Sequence, residues 1–266
     1  MTQRLALVGG RGRELPALLD RPLGGGAVRG GIVLAHGAGG TSLTPFIARA
    51  GEGLAAAGWA VLRFDFGYAT VGGRPSRADR PDTPERVDYR AALAALADAL
   101  PAEAPIVAAG KSYGGRIATF LVAERADGSS QRVHAAAPTS ENGHENGHES
   151  GHAASRIAGD GDPVLQRVRA VLVFGYPVGS PDRQRPADVA ALRSLGLPIL
   201  VVQGSRDSLG PLPALQAALA EVTGARIAVI EGGDHSYRAA GGREVVARLE
   251  DQAIAAAVQW LADVAR

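Results

Sequence analysis

Apolar residues fall in short continuous runs at 32–35, 60–64, 106–109, 171–174, 199–202 and 227–230. A strand with one wet face alternates apolar and polar residues, so unbroken runs of this length predict strands covered by helices on both faces. Between the runs the period changes. Tyr89, Leu93, Leu96 and Leu100 recur at i, i+4, i+7 and i+11, one face of a helix, and Thr83 followed by Pro84 supplies an N-cap and a proline at the first helical position. A helical run follows at 116–125, and Val246, Leu249, Ala253, Trp260 and Val264 predict a closing helix. Strand–helix alternation predicts an α/β protein of three layers around a mostly parallel sheet. Runs 5–8 and 15–20 precede the first crossover with short connections, which makes them antiparallel strands at the sheet edge and brings the total to about eight.

One stretch breaks the rhythm. Across 127–163 the only large aliphatic residues are Val133 and Ile157, and the near-repeat ENGH, ENGH, ESGH fills 141–152. Such a segment buries too little apolar surface to offset its ordering entropy, so it reads as a disordered insertion within a single domain spanning 1–266. His144, His148 and His152 would line one side of a helix and suggest a metal site. Glycines at 143, 147 and 151 each cost such a helix about 1 kcal/mol, which favours a solvated loop and no metal.

Composition narrows the function classes. The 266 residues are 46% hydrophobic and 21% charged, with 28 basic against 27 acidic side chains, a net charge of +1. That is an ordinary soluble globular balance, with no general field to hold nucleic acid or an anionic membrane. The absence of cysteine removes disulfides, thiolate metal sites and a sulfur nucleophile. No run of 18 apolar residues occurs and residues 1–20 lack a signal-peptide pattern, so the expectation is a soluble cytoplasmic protein.

The chemistry-bearing residues cluster at strand ends. After the run 106–109 come Gly110, Lys111, Ser112, Tyr113 and Gly114, a GxSxG between strand and helix. A nucleophile on a strained turn needs small neighbours at minus two and plus two so that strand and helix can approach, and glycine fits there without penalty. Lys111 precedes the serine and no GxxxxGKS spacing exists, so this is not a phosphate loop. Serine needs a base and the base an acid. Asp207 follows the run 199–202 and His235 follows 227–230, both past the ends of strands, where open α/β sheets place ligands. Asp182, after the run 171–174, is the rival acid, and Asp234 is a turn residue by its adjacency to His235. Backbone amides must hold the developing oxyanion: Tyr113, next to the serine, and Ala38 in the glycine-rich loop after 32–35, with Gly39 as the alternative. His36, ahead of the nucleophile in the chain, reads as a structural histidine. Arg74, Arg77 and Arg80 could meet an acidic substrate group, although Asp79 and Asp82 among them favour a solvated loop.

HGAGG at 36–40, GKSYGGR at 110–116, GSRD at 204–207 and GGDHS at 232–236 resemble the α/β-hydrolase superfamily. With RFDFGY at 63–68 and GYP at 175–177 they resemble more narrowly its dienelactone-hydrolase-like branch, which includes testis-expressed and chromatin-complex subunit homologues. The likeness covers the chain except 127–163. It implies an α/β-hydrolase fold and the order Ser112, Asp207, His235 for nucleophile, acid and base, with Gly39, Tyr68 and Tyr176 meeting substrate. Dienelactone hydrolases usually carry a cysteine nucleophile, and dehalogenases and epoxide hydrolases an aspartate; Ser112 argues against each of those reactions. The expectation is a serine hydrolase acting on a small-molecule carboxylic ester through an acyl-enzyme, with no cofactor. A peptidase or thioesterase on the same triad, or a non-catalytic scaffold of this fold, is the alternative. The link between 175 and 188 is too short for a large lid, which suits small soluble esters.

Overall fold

The computed structural model describes residues 1–24, 28–125, 162–179 and 185–264. Eight strands form one sheet: β1 (Thr2–Val8), β2 (Glu14–Asp20), β3 (Gly31–Ala35), β4 (Ala60–Phe64), β5 (Ile106–Lys111), β6 (Val168–Phe174), β7 (Ile199–Gly204) and β8 (Ala225–Ile230). Their order is β1-β2-β4-β3-β5-β6-β7-β8. β3 to β8 run parallel, and β2 pairs antiparallel with both β1 and β4. The expected three-layer architecture with its antiparallel N-terminal edge is present. The helices are α1 (Pro45–Ala56), α2 (Pro84–Asp98), α3 (Tyr113–Ala123), α4 (Pro163–Gln166), α5 (Pro186–Arg193), α6 (Leu212–Leu219) and α7 (Gly242–Val264).

The continuous apolar strands feed two cores through the two-residue period of the pleat. Val33, Leu62, Ala108, Val173 and Val201 face the layer of α2, α3, α5 and α6. Ile32, Leu34, Val61, Val107, Leu172 and Val202 face the layer of α1 and α7. β8 departs from the expectation of burial on both faces: it is an edge strand, and Val229 is 39% exposed. Thr83 stands at the N-cap of α2 with extended backbone, but its hydroxyl makes no cap bond; Pro84 removes one of the amides that would need it.

Arg63 interrupts the apolar run of β4 and is buried. Its Nε and Nη2 donate to Asp20 Oδ2 and Oδ1 at 2.6 and 3.1 Å, and Nη1 donates to the Ser42 carbonyl at 2.7 Å. Only glycine at 51 lets α1 pass this pair, because a Cβ there would lie 2.7 Å from Arg63 Cδ. The pair joins β2 to β4 and both to the segment ahead of α1.

Of the expected insertion at 127–163, residues 127–161 lie outside the described residues, whereas Asp162 and Pro163 form the start of α4. The chain resumes at Asp162, whose carboxylate accepts from the Val164 amide and caps α4. Arg90 of α2 pairs with Glu124 (2.6 Å) and with Asp162 (3.3 Å), and Arg125 donates to the Val168 carbonyl. The two flanks are therefore fastened to the body at the end of α3 remote from Ser112.

Two stability results follow. Arg63→Met leaves Asp20 buried without its partner and should cost about 3–5 kcal/mol in urea unfolding. Replacing 127–161 by a Gly/Ser linker a quarter as long should change stability by no more than about 1.2 kcal/mol, two halvings of loop length at roughly 0.6 each; a larger loss would show that the segment packs on the domain.

Candidate active site

The turn between β5 and α3 is built by steric exclusion. Ser112 has φ 50° and ψ −111°, a conformation a non-glycine residue holds at a cost of order 1–3 kcal/mol. A Cβ on Gly110 would stand 2.5 Å from Gly115 N, one on Gly114 would stand 2.5 Å from the His36 carbonyl oxygen, and one on Gly115 would be 2.3 Å from Val173. These glycines let α3 start directly against the ends of β5 and β3. The Ser112 amide donates to the Phe174 carbonyl at 3.0 Å, which holds the turn to β6.

Two further loops converge on Ser112 Oγ. His235 Nε2 lies 2.8 Å from it, and His235 Nδ1 lies 2.7 Å from Asp207 Oδ2. The other partners of the Asp207 carboxylate are all donors: Gln203 Nε2 (2.8 Å), the Leu209 amide (2.9 Å) and the Gly210 amide (3.3 Å). A carboxylate surrounded by donors accepts from Nδ1–H as well, which leaves Nε2 as the acceptor toward the serine hydroxyl. The Asp207 side chain is fully buried and that of His235 is 18% exposed. The loops are brought together by contact between β7 and β8. The Arg206 amide donates to the Gly233 carbonyl (2.9 Å), and a Cβ at Gly204 would stand 2.3 Å from that same oxygen. Asp234 Oδ1 accepts from the Ser236 and Arg238 amides, so it shapes the turn that carries His235.

The loop after β3 lies beside Ser112: a Cβ on Gly37 would be 3.7 Å from the serine Cβ. His36 is buried, its Nε2 accepts from the Phe66 amide (3.1 Å), and its Nδ1 therefore donates to the Gly37 carbonyl (2.7 Å). Burial holds this imidazole below its ordinary pKa, against the opposing pull of the Gly37 bond and of Asp65. The Gly37 carbonyl also accepts from the Gly40 amide (3.0 Å) and from the Tyr68 hydroxyl (3.4 Å). A trans peptide points its N–H opposite its C=O, so three donors on Gly37 O fix the direction of the Ala38 amide. Among the described residues neither the Ala38 nor the Tyr113 amide donates to a protein acceptor.

Ser112, Asp207 and His235 are thus gathered, with Tyr113 and Ala38 beside them. Gly39 is exposed, and nothing lies within 4 Å of a Cβ there. Tyr68 is half-buried, with its ring stacked on Phe66 and edge-on to Tyr113; burial, then Glu85 and Asp65, push its hydroxyl pKa up. Tyr176 corrects the expectation of a substrate contact. It has no exposed surface, and its hydroxyl donates to Asp188, the carboxylate that holds Arg116 bidentately at 2.5 and 2.8 Å. Asp182 and the three spaced histidines lie outside the described residues. Arg77 is paired with Asp79 on the surface at 2.7 Å, with its side chain 73% exposed.

Gln203 was not singled out by sequence. Besides Asp207, its amide nitrogen donates to the Gly210 carbonyl (2.7 Å), and its oxygen accepts from the Tyr176 amide (2.8 Å). The available signal was a polar residue continuing an apolar strand at 199–202.

An alpha/beta hydrolase domain family matches residues 28–138 and 149–264, which is most of the chain. The chain belongs to the α/β-hydrolase family. No curated protein sequence matches it. Among solved structures, the hydrolase is similar to an α/β serine hydrolase homologue from Coxiella burnetii: 16% identity, 96% of each chain covered, TM-score 0.63. Est1E from Butyrivibrio proteoclasticus shares 16% identity over 97% of this chain and 99% of that one, TM-score 0.62. A dienelactone hydrolase from Anabaena variabilis shares 19% over 98% of each, TM-score 0.57. Likeness at this identity concerns the fold. Among the described residues, no helix of the hydrolase is long and apolar enough to cross a membrane, and no three His, Asp or Glu side chains converge as metal ligands.

The glycine geometry sets a test on the hydrolase. Gly114→Ala should destabilise it by about 1–3 kcal/mol, because the new methyl meets backbone that cannot give way. Gly39→Ala should stay within about 0.5 kcal/mol. Urea unfolding of both variants checks the contrast.

Proposed function

We propose that this α/β hydrolase cleaves carboxylic esters of small molecules through an acyl-enzyme on Ser112. The observation that carries the reading is the continuous chain from Ser112 Oγ through His235 to Asp207, at 2.8 and 2.7 Å. In the proposed reaction, the serine oxygen attacks the ester carbonyl while its proton passes to His235 Nε2. Asp207 holds the Nδ1–H tautomer and stabilises the imidazolium. The carbonyl oxygen, carrying the negative charge, is held by the Tyr113 and Ala38 amides; neither meets an acceptor among the described residues, and the first belongs to the start of α3. Collapse expels the alcohol with the proton from Nε2, and water repeats the sequence to release the acid and restore Ser112.

Est1E and the serine hydrolase homologue among the structural neighbours are consistent with an esterase. Peptidase and thioesterase activities use the same groups, and a panel of p-nitrophenyl esters, aminoacyl anilides and acyl thioesters separates the three. A non-catalytic scaffold would leave Ser112 unlabelled by a fluorophosphonate; the proposed enzyme is labelled there.

Ser112→Ala should lower kcat by up to about 10⁶ with the fold intact, and Asp207→Asn by about 10⁴. Asp182→Asn should change little. Activity of Ser112→Ala within tenfold of wild type would overturn the mechanism, and reversed effects at the two aspartates would move the acid to Asp182.

A further inference from the structure

Lys111 immediately precedes Ser112 and keeps the strand parity of Val107 and Ala109, which places its side chain on the α1/α7 side of the sheet. There its Nζ donates to the His235 carbonyl at 2.6 Å. The ammonium also sits over the Tyr237 ring, 5.0 Å from its centroid, and 5.6 Å from that of Phe46 on α1. The rings pack on each other at 5.1 Å, and Tyr237 is pinned through its hydroxyl to the Val202 carbonyl. The nucleophile's own strand therefore reaches across and grips the main chain of the base.

We propose that Lys111 is a positioning residue whose hydrogen bond to the His235 carbonyl fixes the imidazole at proton-transfer distance from Ser112. This rests on the reading of Ser112 and His235 as nucleophile and base. The imidazole hangs from a turn that includes Tyr237 at φ 57°, while Asp207 holds only the Nδ1 side of the ring. Lys111 adds a second point of attachment, on the backbone, referenced directly to the residue beside the nucleophile.

The charged groups acting on the ammonium are Asp207 after β7, Asp234 in the histidine turn and Glu250 on α7, itself paired with Arg49 of α1 at 3.0 Å. Burial nevertheless outweighs these carboxylates and lowers the Lys111 pKa to about 8. The sign of the linkage follows. An unfolded chain keeps Lys111 protonated up to about 10.4, so between about 8 and that value the unfolded state binds more protons and the contribution of Lys111 to stability rises with pH. Grip and stability thus respond oppositely to alkali: above about 8 the bond to His235 loses its charge assistance while the burial penalty is relieved.

The test compares wild type, Lys111→Met and Lys111→Arg by steady-state ester hydrolysis, fluorophosphonate labelling and thermal unfolding. Lys111→Met keeps the stem and removes the donor. It should lower kcat about 10- to 100-fold with KM within about twofold, while Tm stays equal or rises because a buried charge is gone. In wild type kcat should fall as pH passes about 8, and Lys111→Arg, whose guanidinium stays charged, should recover part of the rate and lose that alkaline limb. Wild-type kcat and pH profile in Lys111→Met would overturn the proposal, as would a rate loss that tracks a fall in Tm. Absence of labelling in wild type would overturn the reading of the triad and this inference with it. Labelling at equal rates in wild type and Lys111→Met would overturn the inference alone.

Discussion

A strand that becomes a helix within one residue must let two backbones touch, and the architecture of this hydrolase is arranged around that contact. At Gly110 and Gly114 the space a Cβ would occupy is already filled by the backbone of α3 and of β3. The penalty is a serine at φ 50°, a conformation that survives because surrounding contacts determine it. The same contact has a chemical consequence. With Ser112 as the single connecting residue, the first amides of α3 are presented beside it without intrahelical partners, so the same contact supplies the donors that the proposed reaction needs.

Sheet topology converts this turn into a site. Chain order reverses between β3 and β5, which sit side by side although β4 lies between them in sequence, and crevices form at such reversals. The loop carrying Gly37 and Ala38 therefore falls beside Ser112, and the bonds of His36 with the Phe66 amide and of Tyr68 with the Gly37 carbonyl hold it there. Asp207 and His235 come from the neighbouring pair β7 and β8, and Gly204 at the end of β7 lets its loop touch the backbone of Gly233 in the loop after β8. The Ser112–His235–Asp207 chain needs few side-chain supports because strand register has already fixed its parts. The supports that exist, Gln203 on Asp207 and Lys111 on His235, act at the second contact of each residue.

Sequence legibility followed the same division. Strands β3 to β7 were readable because burial on both faces leaves unbroken apolar runs, and Ser112, Asp207 and His235 could be singled out as candidates because each follows such a run. β8 was misjudged in burial, since an edge strand and a central one can carry the same aliphatic residues. Tyr176 was misplaced for a related reason: a tyrosine after a strand end reads alike whether its hydroxyl meets substrate or, as here, a buried Arg116–Asp188 pair. α5 and α6 went unnamed because eight residues make little more than two turns, too few for a helical period to repeat; α1 was missed although its buried Phe46, Ile47, Ala50 and Leu54 fall at helical spacing. Gln203 and the tethering role of Lys111 needed coordinates, because each acts on a residue or backbone atom that no spacing rule brings near it.

The position of Lys111 sharpens the distinction between a residue that stabilises a fold and one that serves a site. A side chain at this parity points into the α1/α7 core, where its neighbours are Phe46, Phe174 and Tyr237. Leucine or methionine would suit that environment without a desolvation penalty. A lysine there surrenders hydration and recovers only part of it from one carbonyl, two ring faces and carboxylates that do not bond to it. Stability alone gives no reason for a cation at this point. A flexible donor long enough to reach from the strand ahead of Ser112 to the main chain of His235 is something an aliphatic side chain cannot supply, and the physical account of Lys111 therefore has to run through the histidine it holds.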